Sequence, residues 1–227
     1  FSAVKNCGKC PHCVTGKQSD CYDFCVASKN EDGFLKDFAV VNQADVFPLP
    51  ASIRDEDAVY IELIKLALSV IDKLDVEKGQ HVAIIGGTLL GTIIAQLIIY
   101  YQGVPILIDS SDEKLELAKR SGVYYTINSE SNPEKEVSSL TGGRMTSKVV
   151  HVARSGMPFD LAVKLAAPTA KVAFAGFSFP NVRLSLQTAF EKRLNCFGVT
   201  NGFGNSESAI NMLANKAVDL SNYAVRT

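Results

Sequence analysis

Cys7, Cys10, Cys13 and Cys21 follow one another with the spacing C-x2-C-x2-C-x7-C. Two-residue gaps are too tight for mutual disulfides in good geometry, but they let thiolates converge on one ion. Gly8, Pro11 and Gly16 allow the backbone to turn back between ligands, and Lys9 and Lys17 offset part of the thiolate charge. A disulfide cluster would need an oxidising compartment, of which the chain carries no other sign. Bacterial ferredoxins also open C-x2-C-x2-C, but they continue through a shorter gap to a Cys-Pro. Here seven residues intervene and Tyr22 follows Cys21. A nucleic-acid zinc ribbon would show two well-separated C-x2-C pairs. The pattern predicts a closed four-thiolate site holding one zinc ion in a structural role, with His12 and Cys25 as spectators.

The second chemical feature is the turn Gly86-Gly-Thr88-Leu89-Leu90-Gly91. It stands where the dinucleotide fingerprint G-x-G-x-x-G belongs, between an apolar strand and an apolar helix. Gly86 suits the tight turn and Gly91 a close approach of helix to strand. Thr88 replaces the middle glycine, so its side chain either pushes a pyrophosphate away or bonds to it. The helix start at Leu89 and Leu90 still offers free N–H groups and positive partial charge to an anion. Asp109 lies 23 residues beyond Gly86 at the end of the next apolar run. A carboxylate there accepts ribose hydroxyls and repels a 2′-phosphate, which favours NAD over NADP, and Lys114 is within reach of the same ribose. The plainer reading is that Gly86 and Gly91 serve packing and Asp109 caps the following helix.

These residues need a scaffold, and the pattern around them supplies one. Residues Gly33–Leu49 are strand-prone up to Pro48-Leu-Pro50, and Pro48–Asp55 reads as a boundary. A helix is expected over Asp57–Leu74, with Ile61, Ile64, Leu68 and Ile71 on one face. Strands follow at His81–Gly86, Pro105–Asp109, Val123–Ile127, Lys148–Ala153, Lys171–Gly176 and Arg193–Thr200. Between and after them come helices at Leu89–Tyr101, from a Ser110/Glu113 capping box to Gly122, from Asn132-Pro133 to Thr141, near Phe159–Leu165 and near Ser206–Ala214. Strands alternating with helices imply right-handed βαβ units, and their continuous apolar runs imply burial on both faces. The expected fold class is α/β: a doubly wound Rossmann domain with six parallel strands, over residues 56–227, preceded by a zinc lobe within residues 1–55.

Composition fits that reading. The chain has 227 residues, 47% hydrophobic and 21% charged, with a formal charge of −1. That balance gives no electrostatic reason for a nucleic-acid or anionic-membrane partner. Leu89–Tyr101 and Ile61–Ile71 are each interrupted by polar residues and fall short of the ~20 apolar residues a membrane span needs. No signal peptide is visible and no initiator Met is present, so the chain reads as a cytoplasmic protein cut at both ends.

With both chemical features in place, the chain resembles the zinc-containing medium-chain dehydrogenase/reductase superfamily of alcohol and polyol dehydrogenases. The segment Asp32-Gly-Phe-Leu-Lys-Asp-Phe-Ala39 is similar to that family's D-G-x-x-A/K-E/D-[YF] strand, and Thr141-Gly-Gly-Arg144 also matches. The resemblance implies that residues 1–55 are part of a GroES-like catalytic domain and that the whole protein transfers hydride between an alcohol or polyol and NAD. It implies a catalytic zinc in the complete protein, whose first ligands lie upstream of residue 1. Ala58-Val-Tyr-Ile-Glu62-Leu resembles the A-x-x-x-E-P-L segment, so Glu62 would ligand that zinc or its water, although Leu63 replaces the proline. A solvated glutamate on a helix face is the plain alternative. Departures also occur at His151-Val-Ala-Arg154-Ser-Gly, where an acidic residue is usual, and at Ala167-Pro-Thr-Ala170, where a Pro-Gly-Gly turn is common. They keep a second expectation open, a non-catalytic zinc-stapled Rossmann scaffold. The sixth strand should form a sheet edge and, as in family members, a homodimer.

Overall fold

A computed structural model of the chain describes residues 2, 4–27, 32–153, 157–177 and 184–223. At the amino-terminal end, β1 (Val4–Lys5) and β2 (Cys25–Val26) pair antiparallel and bracket the cysteine segment. Within it, a single turn α1 (Pro11–Val14) starts at Cys10 as N-cap, with proline in the first turn, where its missing N–H costs nothing. This lobe has a core of its own: Val4, Cys10, Cys13 and Cys21 gather with Phe203, a residue brought from far along the chain.

Residues 33–49 do not form strands. Among them only a 3₁₀ turn at Gln43–Asp45 is regular, and Leu35, Phe38 and Val40 stand fully exposed. Strand-prone side chains make a strand only when a neighbour takes a run of their N–H and C=O groups, and no described strand pairs with this segment, whose Asp45 carbonyl accepts only the Ser2 N–H at 3.0 Å. The expected helix over Asp57–Leu74 is two helices, α2 (Asp55–Ala58) and α3 (Ile61–Leu74). The break falls at Val59-Tyr60: the Tyr60 carbonyl accepts from the Leu63 and Ile64 N–H groups, and its hydroxyl donates to the Tyr223 carbonyl at 3.1 Å. That tertiary bond fixes Tyr60 at the joint.

The rest of the chain builds one parallel sheet. Its strands are β3 (His81–Ile85), β4 (Val104–Asp109), β5 (Tyr125–Asn128), β6 (Thr146–His151), β7 (Ala166–Ala175) and β8 (Asn195–Val199), in the order β5-β4-β3-β6-β7-β8. The connecting helices are α4 (Leu89–Tyr100), α5 (Asp112–Arg120), α6 (Pro133–Leu140), α7 (Asp160–Leu165) and α8 (Leu186–Glu191), with α9 (Ser206–Ala214) after the last strand. Side chains alternate along each strand. Val82 and Ile84 face a layer containing α3, α4, α5 and α9, whereas Ala83 and Ile85 face α6 and α7. Helix α4 is apolar on nearly all sides because it lies buried between the sheet and α3.

Several boundaries move. The N-cap of α5 is Ser111, whose hydroxyl accepts the Lys114 N–H, rather than Ser110. The third strand begins at Tyr125, after Val123 is drawn beneath α5 by a bond to the Ala118 carbonyl. The Ala167–Ala170 segment belongs to β7, kinked at Thr169 with φ +64°. Helix α8 carried no clear periodicity and was not expected. The departure at Arg154–Gly156 lies outside the described residues.

Candidate functional site

Two centres emerge, and the fold keeps them apart in character. In the lobe, the Sγ atoms of Cys7, Cys10, Cys13 and Cys21 all lie within 4.8 Å of one another, and Cys7 Sγ is 3.9 Å from Cys13 Sγ. Four sulfurs each ~2.3 Å from a central ion, at the corners of a tetrahedron, stand ~3.8 Å apart, so the cluster has the size a zinc ion requires. Backbone N–H groups point at the sulfurs: Cys7 N–H to Cys21 Sγ at 3.4 Å, Cys10 N–H to Cys7 Sγ at 3.3 Å and Cys13 N–H to Cys10 Sγ at 3.5 Å. Such donors orient thiolate ligands and spread their charge. The thiols are not equivalent. The Lys9 N–H above all holds Cys7 down to about 7 against its burial, whereas burial, seconded by Cys10, pushes Cys13 up to about 12. Four converging thiolates repel, so they shed their protons together only against a cation. His12 and Cys25 stand outside the cluster, His12 edge-on to Tyr22 at 6.1 Å.

The second centre lies at the carboxyl ends of β3 and β4, beside the point between β3 and β6 where the strand order reverses and doubly wound sheets take ligands. The turn after β3 is pinned from both sides. Gly86 N–H donates to the Ile108 carbonyl at 2.8 Å, and the Val152 N–H reaches the Ile85 carbonyl at 2.9 Å. Gly86 adopts φ +115°, and a Cβ there would lie 2.7 Å from the Ala153 nitrogen. A Cβ on Gly91 would sit 2.0 Å from the Gly86 carbonyl oxygen, so α4 touches its own turn at that point. Thr88 answers the question its side chain raised: Oγ1 accepts the Gly91 N–H at 3.2 Å and caps α4. The first-turn N–H groups of Leu89 and Leu90 stay outside the helical ladder, facing along the helix axis as an anion site requires.

Asp109 closes the crevice on the β4 side. Its side chain is 4% exposed, with Oδ2 accepting the Gly87 N–H at 2.7 Å and Oδ1 the Ser111 N–H at 2.9 Å. Lys114 Nζ stands 3.6 Å from Oδ2. The carboxylate thus both holds the turn and starts the next helix, as the plainer reading supposed. An ionised carboxylate has about four acceptor positions, so two amide bonds leave room for hydroxyls. The residues present therefore fit a dinucleotide: a glycine turn, free helix N–H groups and an acid with spare lone pairs meet at one crevice.

Glu62 is placed elsewhere, in the first turn of α3, with Oε1 3.0 Å from Lys65 Nζ. Lys65 and Ser2, which complete that group, and Gly87 were not singled out from the sequence. The i,i+3 spacing of Glu62 and Lys65 was the available signal. His151, at the end of β6, is fully buried and stacks on Phe159 with ring centroids 4.1 Å apart. Burial pulls it down to about 4, partly countered by a bond with the Pro158 backbone.

The sequence pattern of a family described as zinc-binding dehydrogenase matches residues 90–216. The starvation-sensing protein RspB of Escherichia coli (strain K12) is 30% identical over 196 residues, covering 86% of this chain and 58% of that protein. Galactitol 1-phosphate 5-dehydrogenase of the same organism is 31% identical over 186 residues, covering 80% of this chain and 53% of its own. The chain thus spans between half and two thirds of the length of these relatives. Among solved structures, an alcohol dehydrogenase (rspB) from E. coli CFT073, complexed with cofactor NADH, superposes with a TM-score of 0.85 at 26% identity, over 97% of this chain and 66% of that one.

Proposed function

The chain belongs to the zinc-binding dehydrogenase family, and from that premise we propose that it supplies the dinucleotide-binding part of an NAD-dependent, zinc-containing oxidoreductase of alcohols or polyols. The observation that carries this reading is the meeting of the Gly86–Gly91 turn with the Asp109 carboxylate beside the reversal of strand order. Relatives named galactitol 1-phosphate 5-dehydrogenase and sorbitol dehydrogenase support the polyol class.

In this reading residues 56–227 form the cofactor domain and residues 1–55 belong to a GroES-like catalytic domain. Bound nicotinamide supplies a hydride acceptor. Leu89 and Leu90 N–H groups hold the pyrophosphate, with Gly86 and Gly91 keeping the backbone close. Thr88 keeps the helix start ordered. Asp109 accepts from the adenosine ribose and disfavours a 2′-phosphate, and Lys114 neutralises its charge without displacing it. Cys7, Cys10, Cys13 and Cys21 fill every coordination position of one zinc, which leaves that ion a structural role. Edge strand β8 and the exposed Leu186 and Phe190 beside it form a two-fold homodimer interface.

Titration of the purified chain with NADH, followed by nucleotide fluorescence, tests the reading. Saturable binding, tighter than that of NADPH, is the expected result; no binding at millimolar NADH overturns it. That negative result would favour the zinc-stapled scaffold, in which Asp109 serves only the Gly87 and Ser111 amides.

A further inference from the structure

We infer that the cation facing Glu62 is the chain's own Lys65 ammonium, and that Glu62 is not a metal ligand. The first turn of α3 sets the two residues three apart, so their side chains rise from the same face. Lys65 Nζ lies 3.0 Å from Glu62 Oε1 and donates to Ser2 Oγ at 2.8 Å, while Ser2 Oγ is itself 2.9 Å from Oε1. The three groups form one polar corner of a cavity of about 340 Å³, whose other walls are Phe47, Leu49, Ala58, Val59, Ile61 and Ile210 with the polar Ser206.

Only 4% of the Lys65 side chain is exposed, against 24% for Glu62. A buried ammonium is tolerated where a carboxylate compensates it, so Glu62 is committed to that task. A dication on the same carboxylate would stand close to the Nζ ammonium in a largely apolar cavity, where repulsion is screened little. The catalytic zinc that the family resemblance implies therefore does not fit this corner. The inference stands on the ion pair and goes beyond the dinucleotide reading.

Zinc analysis tests it. Wild type and Glu62→Gln are equilibrated with excess zinc, desalted and assayed for metal per chain. The same stoichiometry in both is expected; an equivalent held by wild type and missing from Glu62→Gln overturns the inference. A thermal-melt cycle supplies the second measurement. Lys65→Met should lower Tm, and adding Glu62→Gln should recover most of the loss, because both members of the pair are then gone. Additive losses would overturn the pairing. Neither measurement involves NADH, so failure to bind cofactor leaves this inference untouched.

Discussion

The Gly87 amide donates to Asp109 Oδ2 at 2.7 Å, which ties the first strand–helix turn to the end of the second strand. The same carboxylate takes the Ser111 N–H through Oδ1 at 2.9 Å. One buried charge thus sets the turn's shape and the next helix's start, beside the crevice proposed for the ribose. Lys114 and the two amides balance it.

Asp109→Asn separates the two roles of that carboxylate. An amide can keep one acceptor for Gly87 but turns a donor toward the Ser111 N–H. Loss of a charge-assisted bond in a buried setting is expected to cost about 1.5–3 kcal/mol of stability. If the ribose also uses Asp109, NADH affinity falls roughly tenfold, about 1.4 kcal/mol, while preference over NADPH shrinks. Paired NADH and NADPH titrations read both effects. An unchanged preference would confine Asp109 to a structural role.

Gly91→Ala should damage the turn directly. Its Cβ would fall 2.0 Å from the Gly86 carbonyl oxygen, a backbone atom with no rotamer to yield. Overpacking of this kind costs roughly 1–3 kcal/mol, or a Tm loss of about 2–12 °C for a chain of this size. NADH binding should weaken with it. Calorimetry beside the fluorescence titration measures both.

Metal removal should loosen the lobe and spare the sheet. The lobe's buried set is Val4, three cysteines and Phe203, too small to hold without an ion. Chelation, or Cys10→Ser, is expected to raise hydrogen exchange across residues 7–25 while β3, β4 and β6 stay protected. Because protons compete for thiolates, zinc should also be lost as pH falls. Equal protection with and without zinc would contradict a stapling role.

His151 gives a pH-dependent stability term whose sign follows from its burial. Its folded value of about 4 lies below the ordinary 6.5, so the neutral ring is favoured in the native state. Its contribution is complete above pH 6.5 and is lost as pH falls toward 4, by on the order of 3 kcal/mol at most. Denaturant melts of wild type and His151→Phe across this window should converge or cross at low pH, since phenylalanine preserves stacking on Phe159 without a proton site. Parallel pH curves would remove His151 from the account.

The homodimer is checked by light scattering. Leu186 and Phe190 are 76% and 83% exposed beside the edge strand β8. The chain should scatter as a dimer, and Leu186→Asp with Phe190→Asp should give a monomer of unchanged helix content. A monomeric wild type would leave β8 as a bare edge.

What the sequence determined alone was whatever depends on neighbours in the chain. The cysteine spacing sets how closely four sulfurs can gather, and they lie within 4.8 Å. Continuous apolar runs bounded by glycine and proline located five of the six strands to within two residues at each end and the second half of β7, and Asn132-Pro133 and Ser206–Ala214 marked helix starts and ends. Gly86, Gly91 and Asp109 were legible because a tight turn needs residues without a Cβ and an acid at the next strand end is a local pattern. Tertiary structure decided what depends on partners distant in the chain. Residues 33–49 are strand-prone yet form no strand, because no described strand pairs with them. Tyr60 stands at the break in a periodic helix, where its hydroxyl donates to the carbonyl of Tyr223, 163 residues away. Glu62 resembles a metal-site residue in its local motif, and the fold sets the buried Lys65 ammonium and Ser2 against its carboxylate. Spacing along a chain prescribes local geometry, but the charge and dielectric a side chain meets belong to whatever the fold packs against it.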